Sequence, residues 1–328
     1  MGDSLGGGEA DGGVGAPHPV AAGEILTPDP ASAIMISMTI TTPPHDAAQQ
    51  SPLIEQFLAG DLVVPFGVTA HRFSAGEAHV NFAADAVIEG RDFVITARGG
   101  QLGAIAEAAV FADGLRRQGA RTLTLYIPYL PAARQDRGAP FTGKIAADII
   151  NLGGYDLVIS ADPHSPIVPA MVRNFVAIEP ADIFPEHMLP ADGTVSIVAP
   201  DKGAAARASA VAQRFGLPLV QADKARDPAQ NFAVTGYSCP QITTDHAVVV
   251  DDICDGGGTF LALADAVALD RDHLRLWTTH GIYAKGIGVL EDRYEVVGCT
   301  DSLESGLAAH HTSSLRPALL RTLTTHLA

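Results

Sequence analysis

Residues Val248-Val249-Val250-Asp251-Asp252-Ile253-Cys254-Asp255-Gly256-Gly257-Gly258-Thr259 run from an apolar stretch through two carboxylates into a glycine-rich turn. The valines do not alternate with polar residues, which is the pattern of a strand buried on both faces in a parallel sheet. Parallel strands need crossover connections, usually helical, so this segment points to an α/β architecture. The turn that follows then lies at the carboxyl edge of the sheet, where open α/β proteins bind their ligands. Gly256, Gly257 and Gly258 allow successive backbone N–H groups to face a phosphate, and a helix opening near Thr259 adds the positive end of its dipole. Asp251 and Asp252 repel a phosphate, so their partners are sugar hydroxyls or a divalent cation. An ordinary strand-turn-helix corner would use the same glycines merely to close the turn.

The rest of the chain repeats the alternation. Patterning predicts strands at 34–42, 93–97, 121–126 and 157–161, with helices at 47–58, 102–118 and 143–152. A second series places strands at 194–199 and 217–221, a helix at 203–215 and a hairpin through 232–237. The glycine-loop strand and its helix follow, then strands at 275–279 and 295–299. Such alternation twice over implies an α/β chain of two similar domains, each a mostly parallel sheet with helices on both faces. The expected boundaries are 34–178 and 179–311, with a disordered extension at 1–33 and a C-terminal helix at 312–328 that packs back on either domain.

Composition narrows the function classes. A formal charge of -16 on 328 residues argues against a nucleic-acid partner, although a nucleotide substrate needs only local cations. Cys239, Cys254 and Cys299 are odd in number and widely spaced, so no disulfide framework is implied and the cytoplasm is the expected location. The apolar runs are of strand length, so no membrane span is expected, and the N-terminus lacks the basic and apolar regions of a signal peptide.

Six further clusters carry chemistry. Arg134-Gln135-Asp136-Arg137 follows a predicted strand; Arg134 offers a planar fork for phosphate and Gln135 an amide for a base edge, while a solvated ion pair is the plain alternative. His164, in Ser160-Ala161-Asp162-Pro163-His164-Ser165, is a candidate metal or phosphate ligand with Asp162 behind it, or a capped loop residue. Asp201, in Pro200-Asp201-Lys202-Gly203, precedes a helix and could be only its N-cap. Lys224 and Arg226 lie in a charged loop of the kind that is often simply solvated. Arg72-Phe73-Ser74-Ala75-Gly76-Glu77 and Thr279-His280-Gly281-Ile282-Tyr283 complete the set.

In this order and company the motifs resemble those of the phosphoribosyl pyrophosphate synthetase (ribose-phosphate diphosphokinase) family, which has a type I phosphoribosyltransferase-like fold. The resemblance implies Mg2+-dependent transfer of the β,γ-diphosphate of ATP to the anomeric hydroxyl of ribose 5-phosphate. It implies ATP binding by Phe73, Glu77, Arg134, Gln135 and His164, with Phe73 and Glu77 acting across a subunit interface of a homo-oligomer. Asp251, Asp252, Asp255, Gly256, Gly257, Gly258 and Thr259 would hold the ribose phosphate. His164 and Asp201 would hold Mg2+, and Lys224 and Arg226 would act as catalytic cations closing over the reacting phosphates.

Three departures from the family pattern matter. Gly256 stands where Thr is usual, which removes a hydroxyl and suggests room for a 5-substituted acceptor such as ADP-ribose. Ala75 replaces an Asp beside the adenine contacts. The segment between Arg137 and Lys144 is short, which implies weakened regulation by phosphate and ADP. A phosphoribosyltransferase and a catalytically silent synthetase subunit are the other readings; the first would not need Arg134-Gln135, and the second predicts loss of Lys224, Arg226, His164 or Asp201, all of which are present.

Overall fold

The computed structural model describes residues 53–58, 62–66, 68–227 and 233–327. In the first half, β1 (Leu53–Leu58) and β2 (Leu62–Pro65) are followed by a hairpin, β3 (Val68–Arg72) and β4 (Ala78–Phe82). Then come β5 (Asp92–Thr96), α1 (Leu102–Arg117), β6 (Thr122–Ile127), α2 (Thr142–Leu152), β7 (Leu157–Ala161) and β8 (Phe175–Ile178). A short α3 (Pro180–Ile183) leads into the second half: β9 (Val195–Ala199), α4 (Ala205–Phe215), β10 (Leu219–Gln221), β11 (Asp223–Asp227) and β12 (Ala233–Ser238). It ends with β13 (His246–Cys254), α5 (Gly258–Ala266), β14 (Leu274–Gly281), α6 (Gly288–Glu291), β15 (Val296–Thr300), β16 (His311–Ser313) and α7 (Arg316–Leu327).

Two six-stranded sheets result, ordered β2-β1-β5-β6-β7-β8 and β10-β9-β13-β14-β15-β16. The second is wholly parallel; the first is parallel from β5 to β8, with β1 antiparallel to both its neighbours. Strands β5, β7 and β9 are buried along their whole length, which is why their sequences (DFVIT, LVISA, VSIVA) show no alternation. Alternate residues nevertheless serve different layers. Phe93 and Ile95 pack under α1 and α2 with Ile105, Phe111, Leu115 and Ile150. Val94 faces the other way, where Leu315, Ala318, Leu319 and Leu323 cover the sheet. The last helix of the chain therefore completes the first sheet. In the second sheet Val249 packs with Phe260 and Leu263 of α5, and Val248 and Val250 pack with Ala208 and Val211 of α4. The connection between the halves is anchored there too, since Phe184 meets the buried Trp277 edge-on at 5.8 Å between ring centroids.

The loop expected around Lys224 and Arg226 is strand β11, and the hairpin expected through 232–237 is the single strand β12 paired with it. A third expectation also fails. Residues 53–58 form a strand, not the end of a 47–58 helix; the remainder of that segment, the 34–42 strand and the 1–33 extension lie outside the described residues. Leu, Glu and Gln favour helix intrinsically, but Ile54 and Glu55 pair with Ile95 and Val94 of β5 and are buried, so tertiary pairing overrides propensity. The Glu55 carboxylate accepts a 3.1 Å hydrogen bond from Arg316 Nη1 at the start of α7. Strand β2 and the β3–β4 hairpin are further additions to the sequence reading.

At the amino ends of β5 and β6, the buried Asp92 carboxylate accepts bonds from Arg121 Nε at 2.8 Å and Thr122 Oγ1 at 2.7 Å. The Arg121 bond, aided by Thr122, outweighs burial and lowers the acid's pKa. A carboxyl whose pKa falls on folding stabilises above its unfolded value, about 3.9, and loses that contribution as pH drops through the folded value. Asp92→Asn is expected to cost about 1 kcal/mol near neutrality, modest because Arg121 remains in water. Urea denaturation should show the wild type and variant converging below about pH 4.

Candidate active site

The carboxyl ends of β7, β9, β13 and β14 converge. At their centre is Arg207, a residue of α4 whose side chain is only 10% exposed. Its Nε lies 3.3 Å from both Asp162 oxygens, its Nη1 3.4 Å from Asp251 Oδ1 and its Nη2 3.5 Å from Asp252 Oδ2. Asp162 comes from the first sheet and the other two acids from the second, so one guanidinium fastens the two halves at the site. Thr279 Oγ1 donates to Asp162 Oδ2 at 2.7 Å, and these bonds hold Asp162 at φ +34, a left-handed conformation that strains a residue other than glycine. Behind it His280 is fully buried, 2.8 Å from Ser302 Oγ and edge-on to Tyr129 at 5.0 Å; burial lowers its pKa and keeps the ring neutral.

Asp252 Oδ2 also lies 2.6 Å from His164 Nδ1. That bond raises the imidazole above its ordinary pKa against the opposing effect of burial. The two adjacent acids separate in consequence. Burial and the neighbouring Asp252 charge push Asp251 well above the ordinary carboxylate range. Burial acts on Asp252 in the same direction, but the His164 hydrogen bond and the Arg207 charge outweigh it and hold that carboxyl low. Two adjacent carboxyls of unequal acidity therefore stand side by side, an arrangement able to accept hydrogen bonds from vicinal hydroxyls.

Beyond β13 the chain turns through Gly257 at φ +77 into α5, whose first turn is closed by Leu261 N on Gly257 O at 3.0 Å. Arg134 reaches this loop from the first half and donates from Nη1 to Asp255 Oδ2 at 2.8 Å, a bond that raises the pKa of the guanidinium. On the other flank, Asp201 Oδ1 accepts from the backbone of Gly203 at 2.7 Å and of Ala204 at 3.2 Å, as an N-cap would. Its Oδ2 lies 2.5 Å from Lys224 Nζ. Burial resists ionisation of Asp201, but the Lys224 bond and the two amides prevail and lower its pKa; Lys224 is raised in return by the same bond.

The structure thus brings His164, Asp251 and Asp252 together through Arg207, joins Arg134 to Asp255, and pairs Asp201 with Lys224. Phe73 and Glu77 sit apart on the β3–β4 turn, where Phe73 is 54% exposed beside the rings of His71 and His79 at 5.0 and 5.5 Å. The Gln135 side chain is exposed, and Arg226 lies at a register break in the β11–β12 ribbon. The short segment after Arg137 closes directly onto α2, with Gly143 N bonding Gln135 O at 3.0 Å. Among the described residues, no group of three or more His, Cys, Asp or Glu side chains is arranged to hold a metal ion. A lone carboxylate such as Asp201 suits a Mg2+ that keeps oxygen ligands from water and a nucleotide's phosphates.

Sequence reasoning missed Arg207, and the signal was available. It lies four residues before the buried Val211, on the apolar stripe of an alanine-rich helix, where a cation needs buried partners.

Comparison with known proteins agrees with this layout. Residues 47–154 match the N-terminal domain of ribose phosphate pyrophosphokinase, and residues 190–306 match the phosphoribosyl transferase domain. The chain belongs to the ribose-phosphate pyrophosphokinase family. It is an enzyme, a diphosphokinase among the transferases. The Bradyrhizobium diazoefficiens ribose-phosphate pyrophosphokinase is 28% identical over 281 residues, covering 78% of this chain and 84% of that one. The Bacillus caldolyticus protein of the same name is 32% identical over 208 residues, 60% of this chain and 64% of its own. The crystal structure of phosphoribosylpyrophosphate synthetase from Mycobacterium smegmatis superposes with a TM-score of 0.63 over 81% of this chain and 91% of that chain. At 23% identity that likeness speaks for the fold, two phosphoribosyltransferase-type domains.

Proposed function

We propose that this pyrophosphokinase family member transfers the β,γ-diphosphate of ATP to the anomeric hydroxyl of ribose 5-phosphate, as a cytoplasmic homo-oligomer. The observation that carries this reading is the junction at which His164 meets Asp252 and Arg134 meets Asp255, because it sets a nucleotide-side loop of one sheet against the sugar-phosphate loop of the other. The anomeric oxygen attacks the β-phosphorus, the bond between the α,β-bridging oxygen and that phosphorus breaks, AMP departs and the hydroxyl proton is released. Such a transfer asks for alignment and for cations where charge develops, and little covalent chemistry from the protein.

The glycine loop would hold the 5-phosphate, and Asp251 and Asp252 the ribose hydroxyls, so that C1 faces the donor. Arg134, Gln135 and His164 would bind the triphosphate. Mg2+ arriving with the nucleotide would be held by Asp201 with His164 at its phosphates, and supplies neutralisation of the diphosphate's charge. Lys224 and Arg226 would close over the same group. The exposed Phe73, held on a hairpin pinned through Arg72 to Glu107, suits adenine stacking completed by a second subunit.

Incubation with MgATP and ribose 5-phosphate should release AMP and phosphoribosyl pyrophosphate in equal amounts, read by mass spectrometry. AMP with ADP-ribose alone would overturn the acceptor, and AMP with neither would overturn the reaction.

A further inference from the structure

The turn that follows β14 is bound to the glycine loop. Ile282 N and Tyr283 N donate to Cys254 O at 2.8 and 3.1 Å, and Ala284 N donates to Asp255 O at 3.1 Å. Tyr283 is buried at φ +48, and Gly286, at φ +76, closes the turn by donating to Tyr283 O at 2.7 Å. Lys285 is therefore carried on backbone fixed to the loop, with its stem laid along Gly256. A methyl group at Gly256 would lie 3.5 Å from Lys285 Cε, 3.7 Å from Cδ and 3.8 Å from Cγ. The room expected beside Gly256 is bordered by this side chain, and the ammonium is one bond beyond Cε.

Among the described residues the charge is also uncommitted. The chain has four lysines. Lys144, Lys202 and Lys224 each lie within 4.0 Å of a carboxylate, of Asp148, Asp223 and Asp201 respectively. Lys285 has no such partner among the described residues, and the nearest acid in sequence on the loop, Asp255, is taken by Arg134. In a chain of net charge -16, an unpaired cation at the rim of a phosphate loop is placed for an anion.

We propose that Lys285 binds the terminal phosphate of the acceptor and selects for it, supplying the contact that the absent side chain of Gly256 cannot. A phosphate monoester carries nearly two negative charges at neutral pH and leaves three oxygens free, whereas each phosphate of an esterified diphosphate carries one charge and a substituent the lysine stem would obstruct. Lys285 therefore disfavours 5-substituted riboses. This inference deepens the acceptor assignment proposed above and rests on it.

The test compares wild type, Lys285→Met and Lys285→Arg, by steady-state turnover at saturating MgATP and, without ATP, by calorimetric titration with ribose 5-phosphate. Lys285→Met keeps the stem and removes the charge. It is expected to raise KM for ribose 5-phosphate and its dissociation constant at least tenfold, with KM for ATP within twofold of wild type, and Lys285→Arg should recover most of the loss. Binding of ribose 5-phosphate by Lys285→Met within twofold of wild type overturns the role of Lys285 whatever the turnover. Tight binding by wild type without AMP release overturns the reaction proposed above but leaves the calorimetric comparison decisive for Lys285. Absence of binding by wild type overturns both.

Discussion

Lys224→Ala is expected to lower kcat by roughly a hundredfold or more, as removal of one preorganised charge contact at a transferring group commonly does. The Lys224 ammonium is held 2.5 Å from Asp201 Oδ2, and that bond raises its pKa above the ordinary lysine value. It is carried on the β11–β12 ribbon, which is separate from both main sheets, so it can approach the nucleotide without the core moving. The partly exposed pair contributes little to stability, and circular dichroism should find the variant folded. Turnover at saturating MgATP and ribose 5-phosphate is the measurement. A rate within threefold of wild type would remove Lys224 from the catalytic assignment.

Arg207→Met should be the most destabilising single change in the site. The guanidinium is buried among three carboxylates, and burial alone would depress its pKa; the charges of Asp162, Asp252 and Asp251 raise it instead. Removing it leaves Asp162, Asp251 and Asp252 facing one another without their common cation, and breaking a buried ion pair in this way costs about 3–5 kcal/mol. The deficit has a sign in pH. Carboxyls left without a cation take up protons more readily, so the variant should regain stability relative to wild type as pH falls from 7 toward 5. Urea midpoints across that range measure both effects. A loss below about 1 kcal/mol at pH 7 would mean that water already screens the cluster.

Much of the chemistry was legible in the chain. Asp251 through Thr259 could be placed at the end of a buried strand because unbroken apolarity, a positive-φ glycine and a helix start are local properties. His164, Asp201 and Arg134 were identified as ligand-side residues from their positions after strands. Their actual partners, Asp252, Lys224 and Asp255, were not evident, since each lies elsewhere in the chain.

The sequence by itself determined the α/β class, the alternation of strands and helices and the location of the glycine loop, all of which follow from periodicity and backbone freedom over a few residues. Only the tertiary structure decided that 53–58 is a strand, that α7 covers the first sheet, that Arg207 fastens the halves and that Lys285 lies along Gly256. Each of these depends on which distant groups share a buried space. Arg316 and Glu55 are 261 residues apart and His164 and Asp252 are 88 apart, and the burial and pairing energies that bring them together leave no local mark on the chain.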